Sequence, residues 1–248
     1  EPENWKLAVN NENFRKSIVH AFNRMPALAT SDRIDPESLK NNTITPNAFA
    51  SASKDYTYYE GLAAYTDGDN FDEALAEEYK TTAIEELTAQ GVTFPIKVQL
   101  PYNPSSTDWD KQCQVLKQQL EGVLNDGTDF IDIIITAGPA DSFLSAVRRN
   151  GKFEVLLCNW GADYSDPETE TDPFYQAKDS RGMRYAYLRT GVEDGFITGE
   201  TADAVMAYMN AIEAAKQITD DIDARYKAFA DAEALLITNA LVIPRGMS

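Results

Sequence analysis

Two carboxylates and two large aromatic rings lie close together within residues 160–166. The carboxylates belong to Asp163 and Asp166, and the rings to Trp160 and Tyr164. Two neighbouring carboxylates could act as general acid and general base, as in a glycosidase. Acids and large aromatics also line ligand crevices. These residue types therefore allow either a hydrolytic site or a ligand-binding edge.

The rest of the sequence does not supply the remainder of an active site. It contains no nucleophile-plus-base motif, no phosphate-binding loop and no dinucleotide glycine pattern. A single histidine, His20, leaves little room for a metal site or a triad. The two cysteines, Cys113 and Cys158, are predicted to be small core residues. We therefore predict a protein that is not an enzyme and that has no metal and no cofactor.

Composition narrows the class of partner. The formal net charge of −18 argues against nucleic acid or an anionic membrane surface, because phosphate binding needs a basic face. Hydrophobic residues make up 43% of the 248 residues, which is enough for a substantial core. No apolar run approaches the ~18 residues of a membrane span. The sequence begins without a secretory leader and stops abruptly, so we expect a fragment of a longer protein.

The residues that position the acids form an alternating pattern. An apolar run at 153–158, followed by Gly161, predicts a buried strand that leads into the acids. Two further strands are predicted at 94–100 and 130–136, with a helix over 109–124 between them. A short helix after residue 138 completes a strand–helix–strand–helix–strand order. This alternation predicts βαβ units, and it places the acids at the carboxyl edge of the sheet.

Helices are predicted to flank this sheet. Apolar side chains recur at helical spacing over residues 13–25, 71–90, 201–218 and 221–238. A last strand is predicted at about 240–243, and residues 26–70 are predicted to form one long loop. The predicted fold class is α/β, with a mixed, mainly parallel sheet flanked by helices.

Three segments resemble the oligopeptide- and dipeptide-binding proteins of ABC importers. Residues 13–24 (NFRKSIVHAFNR) resemble the "FRKA…A.DR" helix of that family. Residues 159–167 (NWGADYSDP) look like its "W-x-A-D-Y-x-D-P" element. Residues 225–236, followed by 242–244, are similar to its penultimate helix and return strand. Each segment alone is weak evidence for the family. Together the three are specific, because they occur in the family's order across nearly the whole chain.

The resemblance implies an architecture and a function. Residues 1–248 would form a single lobe, the C-terminal one, of a bilobal periplasmic-binding-protein type II fold, and the N-terminal lobe would be missing. The whole protein would be the monomeric solute-binding component of an ABC transporter and would capture peptides. Its partners would be a peptide ligand and a membrane permease. Its location would be the extracellular face of the membrane, as a lipoprotein, or the periplasm.

The resemblance also implies roles for six residues. Asp163 matches the family acid that meets the α-ammonium group of the ligand. The predicted ligand-binding residues are Asp163, Trp160, Gly161, Asn159, Tyr164 and Arg148. Main-chain groups of residues 159–161 would bind an extended peptide, with Gly161 allowing close approach. Trp160 and Tyr164 would line a pocket for a ligand side chain. Arg148 lies near the position at which some family members have a basic residue that faces the ligand carboxylate.

Simpler interpretations of the same residues remain open. Asp163 and Asp166 could be turn residues bonded to local backbone N–H groups, and Trp160 could be plain core. Arg148 could be an exposed charge at a helix end. Leu157 occupies a position that is basic in some peptide-binding members, which leaves recognition of the peptide C-terminus open. Relatives specific for nickel, haem or sugar share these segments, and an isolated interaction domain is a third class.

Overall fold

The computed structural model describes residues 2–175 and 186–247. The helices are α1 (Pro2–Val9), α2 (Glu12–Ala21), α3 (Met25–Ser31), α4 (Ala63–Thr66), α5 (Glu73–Ala89), α6 (Trp109–Leu124), α7 (Glu168–Tyr175), α8 (Leu188–Glu193), α9 (Gly199–Lys216) and α10 (Ile222–Thr238). The strands are β1 (Ile96–Tyr102) and β2 (Ile131–Ala137). Short 3₁₀ turns cover Pro36–Leu39 and Tyr56–Tyr58, and a π-helical turn covers Leu144–Arg148.

The chain divides into two compact units. Unit 1 contains Glu1–Leu39 and Asn70–Cys158, and unit 2 contains Lys40–Asp69 and Asn159–Ser248. Each unit is therefore built from two separate stretches of the chain. That the 248 residues form one lobe of a longer protein stays a prediction.

Unit 1 contains the predicted βαβ unit. β1 and β2 pair in parallel, with a register that runs from Ile96 opposite Ile131 to Tyr102 opposite Ala137. α6 connects them and buries one apolar face, at Cys113, Leu116, Leu120 and Leu124. These are the apolar positions that predicted a helix, because they recur every three or four residues. The α/β fold class, with a small parallel sheet flanked by helices, is confirmed.

The helices of unit 1 begin where the sequence provides a cap. The Asn11 side chain accepts a hydrogen bond from Phe14 N at the start of α2, and Asp72 does the same for α5. α2 also carries Phe14 into the core, where its ring lies 5.5 Å from that of Phe130. Phe130 stacks in turn on Phe94, at the entrance to β1. Capping and one apolar face thus place α2 against the start of the sheet.

Unit 2 is mainly helical. α9 and α10 pack together, and their buried faces include Tyr208, Met209 and Phe229. Tyr56, in the Tyr56–Tyr58 turn, packs edge-on against Tyr226 of α10. α7, a helix that was not among those predicted from the sequence, lies in this unit and contacts α9 and α10.

The run 153–158 is not a strand, so that prediction was wrong. It meets β1 at Gln99: the N–H groups of Glu154 and Val155 both donate to the Gln99 carbonyl, at 3.2 and 3.1 Å. The Glu154 carboxylate accepts from Gln99 N at 2.8 Å, in the place of a backbone carbonyl. A side chain that takes a ladder position stops the ladder. Cys158 is exposed and is not the core residue that was predicted.

Two other predictions need correction. The predicted strand at 240–243 does not form, because Leu241 N and Val242 N both donate to Leu236 O and turn the chain back on the end of α10. Residues 26–70 are not one long loop, since they contain most of α3, all of α4 and two 3₁₀ turns. Pro26 lies in the first turn of α3, where its missing N–H costs nothing. Of the described residues, no helix is long and apolar enough to cross a membrane.

Candidate functional site

Five of the six predicted site residues lie in one stretch of unit 2, which we call the 159–164 segment. Its backbone is irregular, and two hydrogen bonds tie it to Thr169 in the first turn of α7. The indole Nε1–H of Trp160 donates to Thr169 O at 2.8 Å. The Asp163 N–H donates to Thr169 Oγ1 at 3.0 Å. α7 therefore holds both the ring of Trp160 and the main chain of Asp163.

The carboxylate of Asp163 takes no part in this attachment. Asp163 is exposed, and its side chain makes no hydrogen bond or ion pair with any residue in 2–175 or 186–247. Within these ranges, Asp163 makes a hydrogen bond only through its main-chain N–H. The interpretation of Asp163 as a turn residue, with its side chain bonded to nearby N–H groups, therefore does not hold. An exposed carboxylate on an anchored backbone can receive a cationic group.

The main chain beside Asp163 is also accessible. Gly161 and Ala162 are exposed, and their N–H and C=O groups make no hydrogen bond within the described part of the chain. A Cβ added at Gly161 would meet nothing within 4 Å. These main-chain groups are thus accessible to another extended chain. Asn159 is exposed in the same segment, and the Trp160 ring is half-buried.

Tyr164 adds an aromatic surface next to the acid. Its side chain is 51% exposed. Partial burial, together with the negative charges of Glu168 and Asp172, raises the pKa of its hydroxyl above the ordinary value. The hydroxyl therefore remains a neutral hydrogen-bond donor at physiological pH.

Asp166 differs sharply from Asp163. Its Oδ1 accepts from Glu168 N at 3.0 Å, which is the local turn bond expected of an acid before proline. Arg225 of α10 also binds both of its oxygens, Nε to Oδ2 at 2.9 Å and Nη2 to Oδ1 at 2.9 Å. The pKa of Arg225 is raised, first by the hydrogen bond to Asp166. Asp166 is thus a structural residue, and the two carboxylates do not form an equivalent pair.

A network of charges fixes α7 to α9 and α10. Arg225 Nη2 lies 2.7 Å from Glu168 Oε2. Lys216 of α9 bridges Glu168 and Asp172, at 3.0 and 2.9 Å. Burial alone would lower the pKa of Lys216, but its hydrogen bonds to Asp172 and Glu168 outweigh burial and raise it. α9 and α10 therefore both hold α7 close to Thr169, the residue that anchors the 159–164 segment.

Unit 2 also contains two buried carboxyl groups, Glu170 and Glu233, that were not among the predicted site residues. Burial raises the pKa of Glu170, the residue after Thr169, to about 7. Glu233 of α10 is fully buried, and burial raises its pKa to about 7 as well. The signal for Glu233 was present in the sequence, since this acid occupies the apolar stripe of α10 between Phe229 and Leu236.

Arg148, the sixth predicted residue, lies in the other unit. It ends the π-helical turn of unit 1 and is half-buried. The structure therefore brings five predicted residues together within unit 2 and leaves Arg148 outside that group. A surface pocket of about 280 Å³ in unit 2 is lined by Ser53, Lys54, Tyr59, Glu60, Asp223, Ala224 and Lys227, without the 159–164 segment. Among the described residues, no group of three or more His, Cys, Asp or Glu could hold a metal ion.

Comparison with known proteins gives a consistent picture. The sequence model described as "Bacterial extracellular solute-binding proteins, family 5 Middle" matches residues 4–182. Oligopeptide-binding protein AliB of Streptococcus pneumoniae serotype 4 is 27% identical, over 98% of this chain and 39% of AliB. The chain thus spans about two fifths of the length of that relative.

Solved structures share the fold. A protein described as the peptide-binding protein of a peptide ABC transporter matches with a TM-score of 0.69 and 20% identity, over 97% of this chain and 92% of the other. Listeria monocytogenes OppA bound to peptide matches with a TM-score of 0.67 and 19% identity, over 97% of this chain and 40% of OppA.

Proposed function

The chain belongs to family 5 of the bacterial extracellular solute-binding proteins, and on that basis we propose that it is part of the peptide-capturing component of an ABC importer. In this proposal the 248 residues are one lobe of a longer two-lobe protein, and the other lobe closes over the peptide. The whole protein would act outside the cytoplasm, as a lipoprotein or in the periplasm. It would deliver peptide to a membrane permease. A peptide ligand is supported by two relatives: AliB is described as an oligopeptide-binding protein, and OppA was solved bound to peptide.

The observation that carries the proposal is the exposed carboxylate of Asp163. A peptide of any sequence has one α-ammonium group, so an acid that binds this group accepts many peptides. Closure of a second lobe would remove water around the pair, and a desolvated pair is stronger than an exposed one. Asp163 is suited to this role because its backbone is anchored while its carboxylate has no partner among the described residues.

The accessible main chain supports the same ligand class. The N–H and C=O groups of Gly161 and Ala162 are available to pair with an extended peptide, in the manner of strand addition. Main-chain pairing of this kind is independent of peptide sequence. Trp160 and Tyr164 flank these groups and would contact peptide side chains. Arg148 is proposed to face the ligand carboxylate in the complete protein.

The test compares peptides that differ only at the N-terminus. Asp163→Asn in the complete protein should weaken an alanine-based peptide with a free N-terminus by about 2–5 kcal/mol, which is about 30-fold or more in Kd. The same peptide with an acetylated N-terminus should lose little, because it has no ammonium group. Isothermal titration calorimetry measures both affinities.

A matched control separates the site from general charge effects. Asp203 is exposed on α9 of the same unit, so Asp203→Asn makes the same change in net charge away from the 159–164 segment. It should leave both affinities unchanged. Equal losses for the free and acetylated peptides in Asp163→Asn would refute the ammonium role. Failure of the wild-type protein to bind either peptide would refute the peptide function itself.

A further inference from the structure

We infer that Thr169 is a positioning residue, which sets the geometry of Asp163 and Trp160 through its hydroxyl and its carbonyl respectively. The inference rests on the proposed function, because it assigns Thr169 a part in peptide binding. Thr169 is not exposed to a ligand itself, since its relative exposure is 2%. It acts through the two residues that it holds.

Thr169 is the point where three bonds converge. Its Oγ1 accepts from Asp163 N at 3.0 Å, and its carbonyl accepts from Trp160 Nε1 at 2.8 Å. Its own N–H donates to Asp166 O at 3.1 Å. One buried residue therefore closes the loop between the 159–164 segment and α7. The hydroxyl bond is the part of this arrangement that depends on the side chain.

Residues 161–164 depend on Thr169 because the described residues make few other hydrogen bonds to their main chain. Among the described residues, the main-chain hydrogen bonds of 161–164 are the one from Asp163 N to Thr169 and one from Asp166 N to Tyr164 O. No strand pairing with residues 2–175 or 186–247 fixes the segment. Binding groups have to be held within a fraction of an ångström to be productive. Loss of the hydrogen bond from Asp163 N to the Thr169 hydroxyl should therefore increase the mobility of Asp163.

The position of Thr169 is itself well determined. Thr is branched at Cβ, so its hydroxyl has few available rotamers. Two residues further along α7, the Thr171 carbonyl accepts from Tyr208 OH of α9 at 2.8 Å. The ion pairs of Glu168 with Arg225 and Lys216 hold the preceding turn. The support thus runs from α9 and α10 through α7 to the predicted ligand-binding acid.

The experiment replaces the hydroxyl while keeping the shape of the side chain. In the complete protein, Thr169→Val removes the acceptor, and Thr169→Ser retains it. The first measurement is hydrogen exchange at the Asp163 amide without ligand. This amide should exchange about five- to tenfold faster in Thr169→Val, as expected for the loss of one hydrogen bond, and close to the wild-type rate in Thr169→Ser.

The second measurement is peptide selectivity. Thr169→Val should weaken the alanine-based peptide with a free N-terminus about five- to tenfold, with little loss for the acetylated peptide. Thr169→Ser should restore the wild-type ratio of the two affinities. Thr169→Ala repeats the test without adding an apolar group, in case valine is not tolerated at this buried position.

Thr171→Val is the matched control. Thr171 is buried in the same helix, and its hydroxyl bonds to Pro167 O and Glu168 O, not to the 159–164 segment. If Thr171→Val speeds exchange at Asp163 and changes selectivity as much as Thr169→Val does, both effects come from a weakened α7 and the inference is overturned. Wild-type exchange and selectivity in Thr169→Val and Thr169→Ala would also overturn it.

The outcomes separate this inference from the proposed function. If Asp163→Asn does not discriminate between the two peptides, the ammonium role fails, whatever Thr169 does. If Asp163→Asn discriminates and the Thr169 variants behave as wild type, the ammonium role stands and the positioning role fails.

Discussion

Replacing Glu233 with glutamine should change how the stability of the protein depends on pH. The Glu233 carboxylate is fully buried in unit 2. One oxygen accepts from Thr45 N at 3.2 Å and from the Thr45 hydroxyl, and the other accepts from Ile44 N at 3.2 Å. Burial raises its pKa, the donors on Thr45 and Ile44 oppose the rise, and the charge of Glu170 adds to it. The balance is a pKa of about 7.

The size and sign of the effect follow from this value. An ordinary glutamate has a pKa of 4.5, and Glu233 has about 7 in the folded protein. At 1.36 kcal/mol per pKa unit, this difference corresponds to about 3 kcal/mol. Because the folded pKa is raised, the folded state holds the proton more tightly than the unfolded state. The stabilising contribution is fully present below pH 4.5 and is lost as the pH rises through about 7.

The assay is urea unfolding of wild type and Glu233→Gln at a series of pH values from about 5 to about 8. Glutamine cannot ionise, so the stability of the variant relative to wild type should increase by up to about 3 kcal/mol across this range. Subtracting the two proteins at each pH removes the contribution of the titrating groups that do not interact with Glu233; the change in the titration of Glu170, whose charge acts on Glu233, is part of the expected difference. Glu213→Gln is the control, since Glu213 is exposed on α9 and the charge change is the same. A difference between wild type and Glu233→Gln that is constant with pH would refute the reasoning.

Two further perturbations test the packing of each unit by the same unfolding assay. Arg225→Lys should cost about 1–3 kcal/mol, because lysine cannot make the paired hydrogen bonds to Asp166; wild-type stability would show that the pairing contributes nothing. Gly138→Ala should cost about 1–3 kcal/mol, since the new Cβ would lie 2.6 Å from Cδ2 of the buried Phe143 ring. Gly122→Ala, inside α6, is the control for Gly138→Ala. Nothing lies within 4 Å of its new Cβ, so it should stabilise the protein by roughly 0.5–1 kcal/mol. Equal effects of the two substitutions would contradict the steric argument.

Local sequence patterns predicted the long helices and the parallel strand pair. α5, α6, α9 and α10 each have apolar residues at helical spacing, and this spacing decides which face can be buried. β1 and β2 were predicted for a similar reason, since a helix of the right length lies between two apolar runs. Such patterns are properties of a short stretch of chain, so one sequence suffices to identify them.

The wrong strand predictions show where local patterns stop. The run 153–158 is as apolar as a strand, but strand formation requires a partner with free backbone groups. At this place the Glu154 side chain takes the hydrogen bond of Gln99 N. The residues at 240–243 fail for a different reason, because two of their N–H groups bond back to Leu236 at the end of α10. In both cases the outcome depends on contacts that composition does not contain.

The candidate site divides in the same way. The sequence by itself determined which short segment contains the acids and aromatics, and its resemblance to a family suggested their use. It did not distinguish Asp163 from Asp166, which are three residues apart and have the same chemistry. The tertiary structure decided between them, because Arg225, 59 residues away, binds Asp166, while Thr169 holds the backbone of Asp163 and leaves its carboxylate exposed. Ion pairs and hydrogen bonds between distant residues form only when the fold brings them together, so the availability of one carboxylate is a property of the folded chain.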